Sequence, residues 1–216
     1  MQQEVEQFLD FVAHSPTVFQ AAEQACRMLE EAGFSRLAEH AAWNIVPGGR
    51  YYVTRNRSAV IAFSVPEKGA AHCQIVASHG DSPTFKLKPQ AESEAAGAYV
   101  RLNVERYGGM ILTTWLDKPL SIAGRALVRE NGKLVTKLID LDRDALLIPN
   151  MPIHFNRDIN NGYAYNPQVD MLPVFGDLSA KGALASEVAA KAGVKAEDVV
   201  ACDLFLYNRT PASVWG

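Results

Sequence analysis

Long apolar runs are scarce in this sequence. The longest reach about five residues, as in AVIAF from Ala59 to Phe63, against the roughly 20 that a helix needs to cross a bilayer. A transmembrane helix is therefore not expected, nor a membrane partner. Cysteine is also rare. Cys26, Cys73 and Cys202 are odd in number, far apart and form no CxxC pair. That pattern excludes a disulfide framework and a cysteine-based zinc site, and predicts three reduced, buried thiols. No block of five like charges occurs, and 21 basic residues against 24 acidic ones leave a net charge of −3. Nucleic acid is accordingly excluded as a main partner. Neither GxGxxG nor GxxxxGK[ST] is present, so Gly48-Gly49-Arg50 is no phosphate loop, and without GxSxG Ser78 is no nucleophile elbow. The opening MQQEVEQ is polar and acidic where a signal peptide would be basic and then apolar, so a cytoplasmic location is expected.

What remains is globular: 48% hydrophobic and 21% charged residues over 216 positions, enough for a substantial core in one or two domains. Residues 2–33 read as two amphipathic helices. Val5, Phe8, Leu9 and Val12 form one apolar stripe. Ser15 is placed to cap the second helix with Pro16 at its first position, and Gly33 to end it. After Pro47-Gly48-Gly49 the pattern changes to short strands, Arg50–Asn56, Ala59–Val65 and Cys73–Ser78. The last two are apolar on nearly every residue, as in strands covered on both faces of a helix-flanked sheet.

From about residue 89 the character turns to β. Val100, Leu102 and Val104 alternate with polar residues, Met110–Trp115 is a strand candidate, and Asn131-Gly132 joins two alternating runs, the signature of a type I′ hairpin. Residues 141–178 carry Pro149, Pro152, Pro167 and Pro173 and read as a long shaped connection. A helix from Ser179 or Lys181 to Ala192, closed by Gly193, and a final strand Val199–Tyr207 complete the reading.

The stretch richest in chemistry is Ile75-Val76-Ala77-Ser78-His79-Gly80-Asp81. A buried strand would run into His-x-Asp, and ligand sites of α/β sheets gather beyond the carboxyl ends of strands. A neutral imidazole ligates zinc well, and a carboxylate two residues on can hold its other N–H. Two residues do not make a site, and the same residues suit a loop histidine beside an Asx-type turn at Asp81-Ser82-Pro83 better from spacing alone. Trp43, Trp115 and Trp215 read as packing residues.

Four separated blocks, VASHGDSPTFKLKP, RYGGMILTTWLDKPLSIAGRALV, LLIPNMPIHFNRDIN and LFLYNRTPAS, resemble the M18 aspartyl aminopeptidases in order and spacing. The resemblance implies an α/β fold. Residues 1–88 would be the N-terminal part of a helix-flanked, zinc exopeptidase-like catalytic domain, and residues 89–216 a β-rich inserted dimerisation domain. It also implies a cytosolic exopeptidase that removes N-terminal Asp or Glu from peptide substrates. Two zinc ions per active site are implied, with cobalt or manganese also suited to an imidazole, and homo-oligomers built from dimers up to a dodecamer. His79 matches the first zinc-binding histidine and Asp81 the carboxylate that orients it. His154 matches a histidine of the inserted domain that reaches a neighbouring subunit's active site, as a metal ligand or as a substrate or oxyanion contact. Without the resemblance, His154 reads as a packed loop histidine.

Members of that family are about twice this length. The bridging aspartate, the Glu-Glu pair that holds the general base and a ligand, a later acidic ligand and a final histidine lie beyond the residues present. Zinc-assisted attack of water on the scissile carbonyl is therefore expected of the complete protein, and the 216 residues alone are expected to be inactive. The alternative from another class is a non-catalytic self-association module built on residues 89–216.

Overall fold

A computed structural model describes residues 2–69 and 72–215. The chain divides into two compact units, Met1–Ser82 and Pro83–Gly216. The change of character read at residue 89 thus comes six residues earlier, because Thr84–Ala95 is one continuous strand.

The first unit holds α1 (Gln2–Ala13), α2 (Val18–Glu31) and a three-stranded sheet of β1 (Ser35–Arg36), β2 (Arg50–Arg55) and β3 (Ala59–Ser64) in that order. β1 pairs parallel with β2, and β2 antiparallel with β3. Thr17, not Ser15, caps α2. Its Oγ1 accepts the Phe19 N–H at 3.3 Å and donates to Gln20. Thr17 thus caps the N2 N–H, which places the helix start two residues later than Pro16 suggests. Gly33, at a φ of +83°, ends the helix as expected. The core is small: Phe19 and Ala22 of α2 are buried with Tyr51 and Tyr52 of β2. α1 fully buries no residue: Val5, Phe8 and Val12 of its apolar stripe are exposed and Leu9 is half-buried.

Two expectations fail in this unit. Residues 73–78 form no strand, and Ile75 and Val76 are 80% and 91% exposed. β3 is likewise not covered on both faces, with Ile61 65% exposed. Apolar composition makes a segment fit for a strand, but a strand forms only where a neighbouring one pairs with its N–H and C=O groups. Among the described residues none does so for residues 73–78. The thiols depart from expectation too: all are free, yet Cys73 and Cys202 are exposed and Cys26 is half-buried.

The second unit is an antiparallel sheet of six strands in the order β7-β6-β9-β4-β5-β8. Its strands are β4 (Thr84–Ala95), β5 (Tyr99–Tyr107), β6 (Leu120–Glu130), β7 (Lys133–Asp140), β8 (Val174–Asp177) and β9 (Val199–Asn208). Helix α3 (Ala183–Ala192) packs against β6 and β7. Leu102, Val104, Leu120, Ile122, Val128, Ile139, Ile148, Met171 and Leu206 are almost fully buried in one core. The alternation read on β5 is therefore its inward face. The Asn131-Gly132 turn joins β6 to β7 with φ of 52° and 75°, as a type I′ turn requires.

β4 escaped the sequence reading because Pro89 interrupts its pattern. Proline cannot donate to a ladder, and the β4–β5 register shifts between Leu87 and Glu92, around that residue. Residues 112–115, read as part of a strand, form a 3-10 turn instead. The α3 N-terminus has no cap of its own, since Gly182 stands there. Glu92 supplies it from β4, its carboxylate accepting the Gly182 N–H at 2.7 Å and the Leu184 N–H at 3.2 Å.

Candidate active site

His79 and Asp81 come together in the loop that ends the first unit. His79 Nδ1 lies 2.7 Å from Asp81 Oδ1 and 2.9 Å from the Asp81 carbonyl oxygen. Both neighbours are acceptors, so Nδ1 carries the proton and the Nε2 lone pair is the one available to a cation. The His79 side chain is 81% exposed and that of Asp81 29%. Gly80 between them lies on the Ser58 turn and the start of α2, with Ser58 O and Val18 Cγ2 at 3.8 and 3.9 Å from where a Cβ would stand. The loop thus has the orienting geometry that a ligating histidine needs.

It is one ligand and its orienter. Among the described residues no group of three His, Cys, Asp or Glu side chains could hold a metal ion. A catalytic zinc takes three protein ligands and a water, so this residue set by itself does not fit a resident zinc.

His154 belongs to the other unit. It sits in an exposed turn in which the Phe155 and Asn156 N–H groups both donate to Pro152 O, at 2.9 and 3.2 Å. It is therefore not a packed histidine, and Phe155 beside it is 81% exposed. Of the tryptophans, Trp43 stacks on Phe63 and Trp115 meets Phe85 edge-on, whereas Trp215 is 90% exposed.

A family model described as aminopeptidase I zinc metalloprotease (M18) matches residues 11–216. The chain belongs to the M18 aminopeptidase family. It is similar to a probable M18 family aminopeptidase 2 of Clostridium acetobutylicum, 41% identical over 96% of this chain and 50% of that protein. A namesake in Pseudomonas fluorescens SBW25 is 38% identical over the same shares of the two chains. The chain thus spans about half the length of the curated relatives it matches.

Among solved structures it is similar to a chain of the Ape4 and Nbr1 complex, at a TM-score of 0.91 and 33% identity over 97% of this chain and 45% of that one. The mApe1 of Chaetomium thermophilum gives a TM-score of 0.86 and 31% identity over 98% and 52%. The S. cerevisiae mApe1 dodecamer gives 0.82 and 25% over 98% and 49%. The M18 family is thus one of aminopeptidases, is described as zinc-dependent, and includes homo-oligomers.

Proposed function

We propose that this chain forms part of a zinc-dependent, cytoplasmic M18 aminopeptidase that removes N-terminal residues, Asp or Glu, from peptides. In this reading two zinc ions serve each active site, His79 binds one of them, and dimers assemble up to a dodecamer. The observation that carries it is the 2.7 Å contact between His79 Nδ1 and Asp81 Oδ1. A carboxylate on one ring nitrogen fixes the tautomer and makes the other a stronger donor to a metal. His154, on an exposed loop, is free to meet a peptide or a neighbouring copy's site as ligand or as oxyanion contact.

The 216 residues by themselves are inactive in this proposal, since one imidazole is short of the three ligands that catalysis needs. The test is an assay of the chain on Asp- and Glu-peptides with zinc or cobalt, beside a calorimetric zinc titration. No turnover and weak binding of one ion, lost in His79→Ala, are expected. Turnover by the chain alone, or binding that survives His79→Ala, refutes the assignment.

A second reading, the self-association module, draws on the second unit having a complete core of its own. A stable dimer by light scattering, unchanged by zinc and by His79→Ala, favours it.

A further inference from the structure

We propose that Asp117 is a positioning residue for His154, acting through the backbone of the loop that carries it; the inference rests on the aminopeptidase reading above. Asp117 follows the Leu112–Trp115 turn and has a φ of +55°, a conformation few side chains other than Asn and Asp adopt. Held so, its N–H donates to Ile148 O at 2.9 Å while its Oδ1 accepts the Asn150 N–H, also at 2.9 Å. One residue therefore grips the chain on both sides of Pro149.

The grip is itself anchored. Leu116 bridges to Ile148 in parallel pairing, and the two are 8% and 0% exposed. Asn150 passes the constraint on, its Oδ1 accepting the Met151 N–H at 2.9 Å. His154 follows three residues later. At the far end Asp170 accepts the Asn166 N–H at 2.7 Å and the Tyr163 hydroxyl at 3.1 Å. Between these anchors Met151, Ile153 and Phe155 are 52%, 47% and 81% exposed. Burial does not locate the tip of this loop. Its ends do, and a charge-assisted bond from a carboxylate to a backbone N–H is the strongest device at the near end.

Two variants separate the acceptor from the backbone. Asp117→Asn keeps both an acceptor oxygen and tolerance of positive φ, whereas Asp117→Gly keeps the backbone and loses the acceptor. Amide exchange on the full chain is expected to speed up about tenfold at Asn150, Met151, Phe155 and Asn156 in the glycine variant. The asparagine variant and the β6 and β9 amides stay as in the parent. Equal protection in all three proteins overturns the anchoring.

In the peptide-hydrolysing protein, Asp117→Gly lowers kcat about tenfold with KM nearly unchanged. Combined with His154→Ala it falls no further than His154→Ala alone, and Asp117→Asn restores the rate. Losses that add overturn the positioning role. A complete protein of the relatives' length that cleaves no peptide overturns the aminopeptidase reading instead, while the exchange data still decide the anchoring.

Discussion

Replacing Gly124 with alanine tests the packing of the second unit at its narrowest point. Gly124 lies in β6 opposite Leu204 of β9, at a φ of +153°. A Cβ there would stand 2.0 Å from Asp203 O and 3.0 Å from Leu204 Cα. Carbon and carbonyl oxygen come no closer than about 3.3 Å in ordinary sheet contacts, so β9 must retreat by more than an ångström. Hydrogen bonds of about 2.9 Å do not survive that displacement. Losing the two nearest ladder bonds costs about 1 kcal/mol each. Overpacking costs a further 1–3 kcal/mol or so.

A loss of about 3–5 kcal/mol follows, a large share of a typical 5–15 kcal/mol stability. Urea denaturation followed by circular dichroism measures it. Gly109→Ala is the control, because nothing lies within 4 Å of its Cβ position and its φ is not positive. A Gly124→Ala protein within about 1 kcal/mol of the parent, with β6 and β9 amides still protected, would refute the close approach.

Glu92→Ala removes the carboxylate that caps α3 and should lower stability by about 1–2 kcal/mol in the same denaturation assay; no change would mean that water caps the helix equally well. Asn131→Ala should cost about 1 kcal/mol, since alanine resists the positive φ of the turn, whereas Asn131→Gly should be nearly neutral. Burial alone would raise the Asp203 carboxyl, but hydrogen bonds from Arg125 and Lys86 outweigh it and hold the pKa below its ordinary value. Stability from Asp203 is then present above the unfolded value of 3.8 and lost as pH falls through the lower folded one. Asp203→Asn should flatten that acid limb of a stability-against-pH curve, and an unchanged limb would sink the assignment. Asp140 runs the other way. Burial raises its pKa, against a hydrogen bond from Tyr207, so its contribution is full below the unfolded value and lost as pH rises through the folded one. Asp140→Asn should remove that decline, which the same titration reads.

Where a few adjacent residues carry the physics, the sequence was legible. Strict alternation on Val100, Leu102 and Val104 places them inward, and Asn131-Gly132 closes its hairpin in register with Glu130 opposite Lys133. Gly33 and Gly193 end their helices for the same local reason, a left-handed backbone that glycine adopts freely. Legibility failed at residues 73–78, where apolar composition predicts a strand but no neighbour among the described residues pairs with it. It failed again at Pro89, where a bulge lets a proline sit inside a strand. The candidate site divides likewise. His79 and Asp81 are two residues apart and meet through a short loop, so their spacing alone announces the pair. Asp117 and Asn150 are separated by more than thirty positions, and nothing in either neighbourhood marks the bond between them.

The residue order by itself determined the local periodicities, the turn chemistry, the His-x-Asp pair and the family blocks. Each depends on atoms within a few bonds of one another. Tertiary structure alone decided that Glu92 caps α3, that only glycine fits at position 124, and that the chain parts between Ser82 and Pro83. Those outcomes turn on which distant segment arrives alongside, and a backbone group binds whichever partner the packed core delivers.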